Sequence, residues 1–288
     1  MSPTPPQTII LITGANRGLG AGLLTLYLSL PYHTVIAAVR SPLSPSSLAL
    51  SSLPTGVGSR LITVKIDACN ETDHGEAVET LRSTHGISHL DVVIANAGVS
   101  YVFPKVSELK IEDLQGHLTP NVFGVVWLYQ ATLPLLLKGK RPRWVTMGTI
   151  AGSIEVESRR KKKEDFLAFL LLSFSSLSCP ISHNHLSKTQ NNLPPLTSPP
   201  RSQPAMTNAA YGPSKATVHW LTKRMNAEES ALAAFVISPG WCQTDMGNSG
   251  AKYSGWKKHL GMVELIEGAT RERRGGRFWG YEGDLIAW

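Results

Sequence analysis

The constraint that most limits how this chain can fold is a glycine-rich loop caught between a strand and a helix. Thr8–Ile12 is a short continuous apolar run, and Leu19–Leu30 has a helical pattern closed by Pro31. Between them stands Thr13-Gly14-Ala15-Asn16-Arg17-Gly18-Leu19-Gly20. A helix N-terminus presents unpaired amide N–H groups and a partial positive charge, a natural seat for a pyrophosphate. Glycines let the backbone approach the phosphates and let the helix pack closely on the sheet. The alternative is a glycine-rich turn without a ligand, which the flanking strand and helix disfavour.

The rest of the chain repeats the alternation. Apolar runs at Thr34–Val39, Leu61–Ile66, Leu90–Ala95 and Arg143–Thr149 are separated by helical patterns at Thr72–His85 and Ile111–Lys138. After a gap, Ala216–Glu228 reads as helix, Ala233–Ser238 as strand and Arg277–Tyr281 as one more strand. Strands alternating with helices require right-handed crossovers. The fold class is therefore α/β: a single Rossmann-type, doubly wound parallel sheet with helices on both faces.

The alternation breaks at residues 154–204. A charge block, Arg159–Asp165, is followed by the seven apolar residues Phe166–Leu172 and then by a Ser-, Asn-, Gln- and Pro-rich tract. A structureless stretch of that length inside a compact domain is uncommon. The tract reads as a long, irregular, disordered insertion in a single domain spanning 1–288. Its change from basic to oily to polar, without periodicity, looks like translated non-coding sequence. A lid or a membrane-touching loop are the alternatives.

Composition excludes several classes. The 288 residues carry 28 Lys and Arg against 21 Asp and Glu, a net +7. That suits an anionic ligand, but no zinc-finger spacing and no basic helix with heptads appears, so no nucleic-acid partner is expected. The three cysteines, Cys69, Cys179 and Cys242, are too scattered for a disulfide framework or a metal site. No apolar run is long enough to span a membrane, and the uncharged, Pro-rich start lacks the basic residues of a secretory signal. A soluble, cytoplasmic protein with no membrane partner and no metal is expected.

Charge also selects the dinucleotide. An NAD site usually has an acidic residue at the end of the second strand, on the ribose 2′-hydroxyl. Here Val35-Ile36-Ala37-Ala38-Val39 ends in Arg40, and Arg17 lies in the loop. Two guanidinium groups suit a 2′-phosphate, favouring NADP(H), unless both are merely solvated. Tyr211-Gly212-Pro213-Ser214-Lys215 puts a tyrosine and a lysine on one helical face, where a nearby ammonium lowers a phenol pKa. Alone, that pair is weak evidence, because most such pairs are ordinary helix surface.

Together, these motifs resemble the short-chain dehydrogenase/reductase family. The resemblance rests on Thr13-Gly14-x-x-x-Gly18-x-Gly20, Asn96-Ala97-Gly98, Asn121, Tyr211-x-x-x-Lys215 and Pro239-Gly240 followed by Thr244. Residues 238–247 look closest to fungal ketoreductases of the norsolorinic acid ketoreductase kind. The family implies Tyr211 as general acid, with Lys215 holding the nicotinamide ribose and depressing the Tyr211 pKa. Asn121 would fix a water in a proton relay. Asp67 would touch the adenine, Asn96 would stabilise the central strands, and Ala97 and Gly98 would line the cofactor. Thr244 would bind the carboxamide. Asn16 and Leu19, within the loop, complete the expected cofactor set with Pro239 and Gly240.

The family's carbonyl-polarising serine is replaced by Thr149, with Ser153 a weaker substitute. Pro120 precedes Asn121 inside an expected helix, where an interior proline costs about 3 kcal/mol or more. The resemblance implies seven strands, a homodimer or homotetramer, and hydride transfer between NADP(H) and a small-molecule ketone or secondary alcohol, hydrophobic or aromatic and polyketide-like. The rival reading is a non-catalytic dinucleotide-binding sensor, or a relic disabled by the insertion.

Overall fold

A computed structural model of the chain describes residues 6–155, 207–242 and 255–288. Strands β1 (Thr8–Thr13), β2 (His33–Val39) and β3 (Arg60–Lys65) are joined by helices α1 (Gly18–Ser29) and α2 (Pro45–Leu48). Helix α3 (Glu71–Ser83) leads to β4 (Val92–Ala95), and α4 (Ile111–Leu118) and α5 (Gly124–Leu136) lead to β5 (Arg143–Met147). Then come α6 (Tyr211–Glu228), β6 (Ala233–Ser238), α7 (Gly255–Glu267), α8 (Arg271–Arg274), β7 (Phe278–Gly280) and β8 (Leu285–Ile286). These elements belong to one compact unit. The insertion expected at 154–204 lies, apart from Ile154 and Glu155, outside the described residues.

The sheet order is β3-β2-β1-β4-β5-β6-β7-β8. The chain winds outward from β1 in one direction and then restarts at β4 on the other side. A crevice therefore opens at the carboxyl ends of β1 and β4, where doubly wound sheets bind ligands. Pairing is parallel from β3 to β7. Seven strands were expected; among the described residues the sheet has eight, because the tail turns back at Gly280–Gly283 and β8 pairs antiparallel with β7. Two residues carry too little periodicity to read as a strand.

Alternate residues of each strand feed two cores. Ile9 and Leu11 of β1 pack on one face with Leu81 of α3, Leu128 of α5 and Val218 of α6. Ile10 and Ile12 pack on the other with Leu24 of α1 and Ile266 of α7. Both faces being covered explains why the strands read as unbroken apolar runs. Helix α6 is further fixed on β5 by the buried Thr146 and Thr222 hydroxyls, 2.7 Å apart, with the Trp144 indole donating to Thr146 at 2.9 Å.

The single helix expected over Ile111–Lys138 is divided. Between α4 and α5, Thr119–Phe123 forms a π-helical turn holding Pro120 and Asn121. The widened turn takes a proline ring that a regular helix would reject, so the expected penalty is not incurred.

The crevice is built by side chains that tie β1 to β4. Thr13 is 5% exposed, and its Oγ1 accepts the Asn96 and Ala97 backbone N–H groups, both at 3.0 Å. Asn96 returns a bond from Nδ2 to the Thr13 carbonyl at 2.8 Å. Thr13→Val keeps the shape and removes the shared acceptor, leaving two donors unpaired. We expect it to lower stability by about 2 kcal/mol, the usual cost of buried unpaired donors. An unchanged urea midpoint would contradict this.

Candidate active site

The loop after β1 turns on its glycines, and its Gly14 N–H donates to the Ala38 carbonyl of β2 at 2.9 Å. Gly14 has φ +62°, a conformation that side chains resist. A Cβ on Gly20 would collide with the Gly14 carbonyl and the Asn96 amide, so the loop and α1 close on each other only without side chains. Arg17 is the extended N-cap of α1 and its side chain makes no cap bond. The first N–H groups of α1 are thus not satisfied by a capping side chain, and the donor set fits a pyrophosphate. Asn16 points from the loop to Ser46 Oγ at 2.9 Å, while Leu19 packs into the core.

Arg40 is exposed at the end of β2. Burial pushes the Cys69 thiol up, the Asp67 charge adds to the rise and the Arg40 charge opposes it. Asp67 Oδ1 accepts the Cys69 N–H at 3.0 Å. The Asp67 N–H in turn donates to the buried Asp73 carboxylate at 2.9 Å. Beyond β4, Ala97 sits against the Gly14 backbone, and a Cβ on Gly98 would meet Asn121 Oδ1 at 2.9 Å and Lys215 Nζ at 3.6 Å. These two residues leave a bare backbone edge beside the crevice.

Asn121 is fully buried in the π turn. Its Oδ1 accepts the Val99 N–H at 2.8 Å, and Nδ2 donates to the Val99 carbonyl and to Ser214 Oγ, both at 3.0 Å. Both amide hydrogens are therefore spent on protein. Ser214 passes the chain on, donating to the Tyr211 carbonyl at 2.7 Å. Ser214 had no expected role, yet it couples Asn121 to the first turn of α6; being serine beside a proline, it gave no distinguishing signal.

Tyr211 begins α6, and Lys215 follows one turn later, 6% exposed. Lys215 Nζ donates to the Met147 carbonyl at the end of β5 at 2.8 Å. Its ammonium lies 5.9 Å from the centre of the Tyr211 ring. The expectation that Lys215 depresses the Tyr211 pKa is not met in this geometry. Burial dominates, pushing Tyr211 up to about 12 and Lys215 down to about 8. Tyr211 therefore keeps its proton at neutral pH.

Thr149 follows β5. Its Oγ1 accepts the Ala151 N–H at 3.2 Å, and its own N–H donates to His219 at 3.3 Å. Since Oγ1 is already an acceptor, its hydroxyl hydrogen is the group left to donate. Ser153 is no substitute, because it is buried and donates to the Ala287 carbonyl at 2.7 Å. Near Tyr211 stands fully buried His117, stacked on half-exposed Tyr101 at 4.2 Å and tilted toward Tyr211 at 6.2 Å. After β6, buried Pro239 is followed by Gly240 with φ +67°. Thr244 lies outside the described residues.

Sequence elements far apart thus meet at one end of the sheet: the loop after β1, the segment after β4, the end of β5 and the first turn of α6. Residues 8–160 match the family described as short chain dehydrogenase. The chain belongs to the short chain dehydrogenase family. It is similar to the norsolorinic acid ketoreductase of Dothistroma septosporum, 35% identical over 98% of this chain and 93% of that protein. It is also similar to the norsolorinic acid ketoreductase of Aspergillus parasiticus, 33% identical over 95% of this chain and 88% of that one. Among solved structures, the NADPH-bound carbonyl reductase from chicken fatty liver superposes with a TM-score of 0.73 at 21% identity, covering 99% of this chain and 100% of the other. This shares the fold.

Burying Lys215 costs stability that can be measured. Its pKa falls from 10.5 to about 8. Below pH 8 the folded state carries the full cost of the buried charge. Between pH 8 and 10.5 the unfolded chain holds the proton more tightly, so the cost fades as pH rises. Lys215→Met should therefore stabilise the fold at pH 7 by on the order of 2 kcal/mol, after the lost hydrogen bond is subtracted. The advantage should vanish near pH 10.5. Urea unfolding at both pH values checks this, and an advantage independent of pH would refute it.

Proposed function

We propose that this chain is an NADP(H)-dependent ketoreductase that interconverts a hydrophobic, aromatic, polyketide-like ketone and its secondary alcohol. The observation that carries the reading is the docking of Lys215 on the Met147 carbonyl. It brings the Tyr211 helix against the strand end that leads into Thr149. The nicotinamide, when bound, supplies the hydride in reduction and takes it in oxidation.

The chain's own residues manage the oxygen. Tyr211 gives its phenolic proton to the carbonyl oxygen as the carbon gains hydride, and its raised pKa keeps that proton in place until then. The Thr149 hydroxyl donates a hydrogen bond to the same oxygen. Lys215 would hold the nicotinamide ribose, and Asn121, its two amide hydrogens already spent on Val99 and Ser214, would fix a water for reloading Tyr211 as an acceptor only. The Gly14–Gly20 loop and the α1 amides take the pyrophosphate, with Arg17 and Arg40 on the 2′-phosphate and Asp67 near the adenine. Asn96 braces the crevice that Ala97 and Gly98 line, and Pro239, Gly240 and, by the family resemblance, Thr244 would bind the nicotinamide part of the cofactor. The tract 154–204 is, on its composition, an insertion outside this machinery.

The substrate class is supported by the wall beside Tyr211. Tyr101, 52% exposed and stacked on His117, offers an aromatic face next to the proton donor. The names of the two ketoreductase relatives point the same way.

The experiment is NADPH oxidation with a panel of polycyclic aromatic and aliphatic ketones, repeated with NADH and with Arg40→Asp. Turnover of aromatic ketones with NADPH is expected in the wild-type protein. Arg40→Asp should weaken NADPH binding by roughly 10–100-fold, as loss of a charge-assisted bond plus an added repulsion implies, and leave NADH binding nearly unchanged. NADPH binding without turnover of any ketone would instead favour a sensor, and equal loss for both dinucleotides would contradict the role of Arg40.

A further inference from the structure

Helix α6 carries a third functional-looking group below Tyr211 and Lys215. His219 lies one turn after Lys215 on the same face and is 2% exposed. Its ring packs on Phe278, with centroids 4.6 Å apart, and on Trp288, at 6.1 Å. It fits only because residue 148 is glycine, since a Cβ there would run into the imidazole.

The ring's hydrogen bonding is specific. Nε2 accepts the Thr149 backbone N–H at 3.3 Å, so the ring proton resides on Nδ1. Nδ1 is buried and has no hydrogen-bond partner among the described residues. An apolar residue could fill the same space without stranding a polar atom, so packing alone does not account for a histidine here. The bond also completes a set. Three successive backbone groups are held from neighbouring elements: the Met147 carbonyl by Lys215 Nζ at 2.8 Å, the Gly148 N–H by the Ile237 carbonyl at 2.8 Å, and the Thr149 N–H by His219.

We propose that His219 is a positioning residue for hydride transfer: it anchors the Thr149 peptide so that the threonine hydroxyl faces the substrate carbonyl. It acts through Thr149 and touches neither substrate nor cofactor. The inference rests on the reading of Thr149 as the carbonyl-polarising group. Burial, and then the charge of Lys215, push the His219 pKa down to about 3. The ring stays neutral at working pH, which keeps Nε2 an acceptor; a protonated ring would present a second donor to the Thr149 N–H.

A double-mutant cycle tests this. His219→Phe keeps an aromatic ring against Phe278 and Trp288 but removes the acceptor, whereas His219→Gln returns an acceptor near the position of Nε2. Each is made alone and, for the phenylalanine, also in a Thr149→Ala background. kcat is measured at saturating NADPH with an aromatic ketone the wild type reduces, per mole of protein competent to bind NADPH. His219→Phe is expected to lower kcat by roughly 10–100-fold, as sub-ångström misplacement of a reacting group can. NADPH affinity should change by less than about twofold, and His219→Gln should recover most of the loss. In the Thr149→Ala background the same phenylalanine should cost less than about twofold. An equal loss in both backgrounds, an unaffected kcat, or a glutamine variant as impaired as the phenylalanine overturns the proposal while leaving Thr149 in its role. Full activity of Thr149→Ala alone overturns the reading of Thr149, and the anchoring role with it.

Discussion

The clasp between Thr13 and Asn96 is the constraint on which the rest of the molecule depends. A doubly wound sheet must part at its switch point to admit a ligand, yet β1 and β4 remain hydrogen-bonded neighbours up to that point. Thr13 Oγ1 takes the two backbone N–H groups that leave β4, and the Asn96 amide closes the return bond. The same amide sits where a Gly20 side chain would go, so the clasp, the glycine loop and the start of α1 share one small volume. A side chain added at Gly20 would press on both the Gly14 carbonyl and the Asn96 amide. Loop geometry and sheet continuity are therefore one requirement.

A second economy runs down α6. One helix face presents Tyr211, Lys215 and His219, and the last two reach the peptides that lead from β5 to Thr149. Burial raises the tyrosine pKa and lowers those of the lysine and histidine. In all three, the low-dielectric site favours the neutral form. Such a site costs stability and suits proton transfer, where a phenol must keep its proton until the carbonyl oxygen gains charge.

What the sequence makes legible follows from what the physics leaves in the sequence. The strands β1, β2 and β6 are covered on both faces, so their apolar runs read directly, and the Ala233–Ser238 boundaries coincide with the observed strand. The glycine loop, Asn96, Tyr211 and Lys215 are legible because turn, crevice and helix face each demand particular residue types. The π turn at Thr119–Phe123 is not, since proline signals a break without specifying its form. Helix α7 escapes notice for a different reason. It follows residues with no clear periodicity, and its buried face includes Lys258 and His259, polar residues that disguise a core-facing stripe. The partners that orient the site, Ser214, His117 and His219, are ordinary helix residues in sequence. Only the pairing of distant elements gives them a role. The lowered phenol pKa expected from Tyr-x-x-x-Lys spacing fails because spacing fixes the face of a helix but not where a flexible lysine ends, here at Met147.

The proposed role of Tyr211, delivery of the proton during hydride transfer, turns on one phenolic oxygen. Replacing Tyr211 with phenylalanine removes that oxygen and keeps the ring that meets His117. The decisive measurement pairs the NADPH dissociation constant with single-turnover ketone reduction in Tyr211→Phe. The proposed role requires NADPH affinity within about twofold of wild type and a rate lower by roughly 10²–10⁴, the usual worth of a general acid. A purified Tyr211→Phe protein that reduces the ketone at close to the wild-type rate would contradict it.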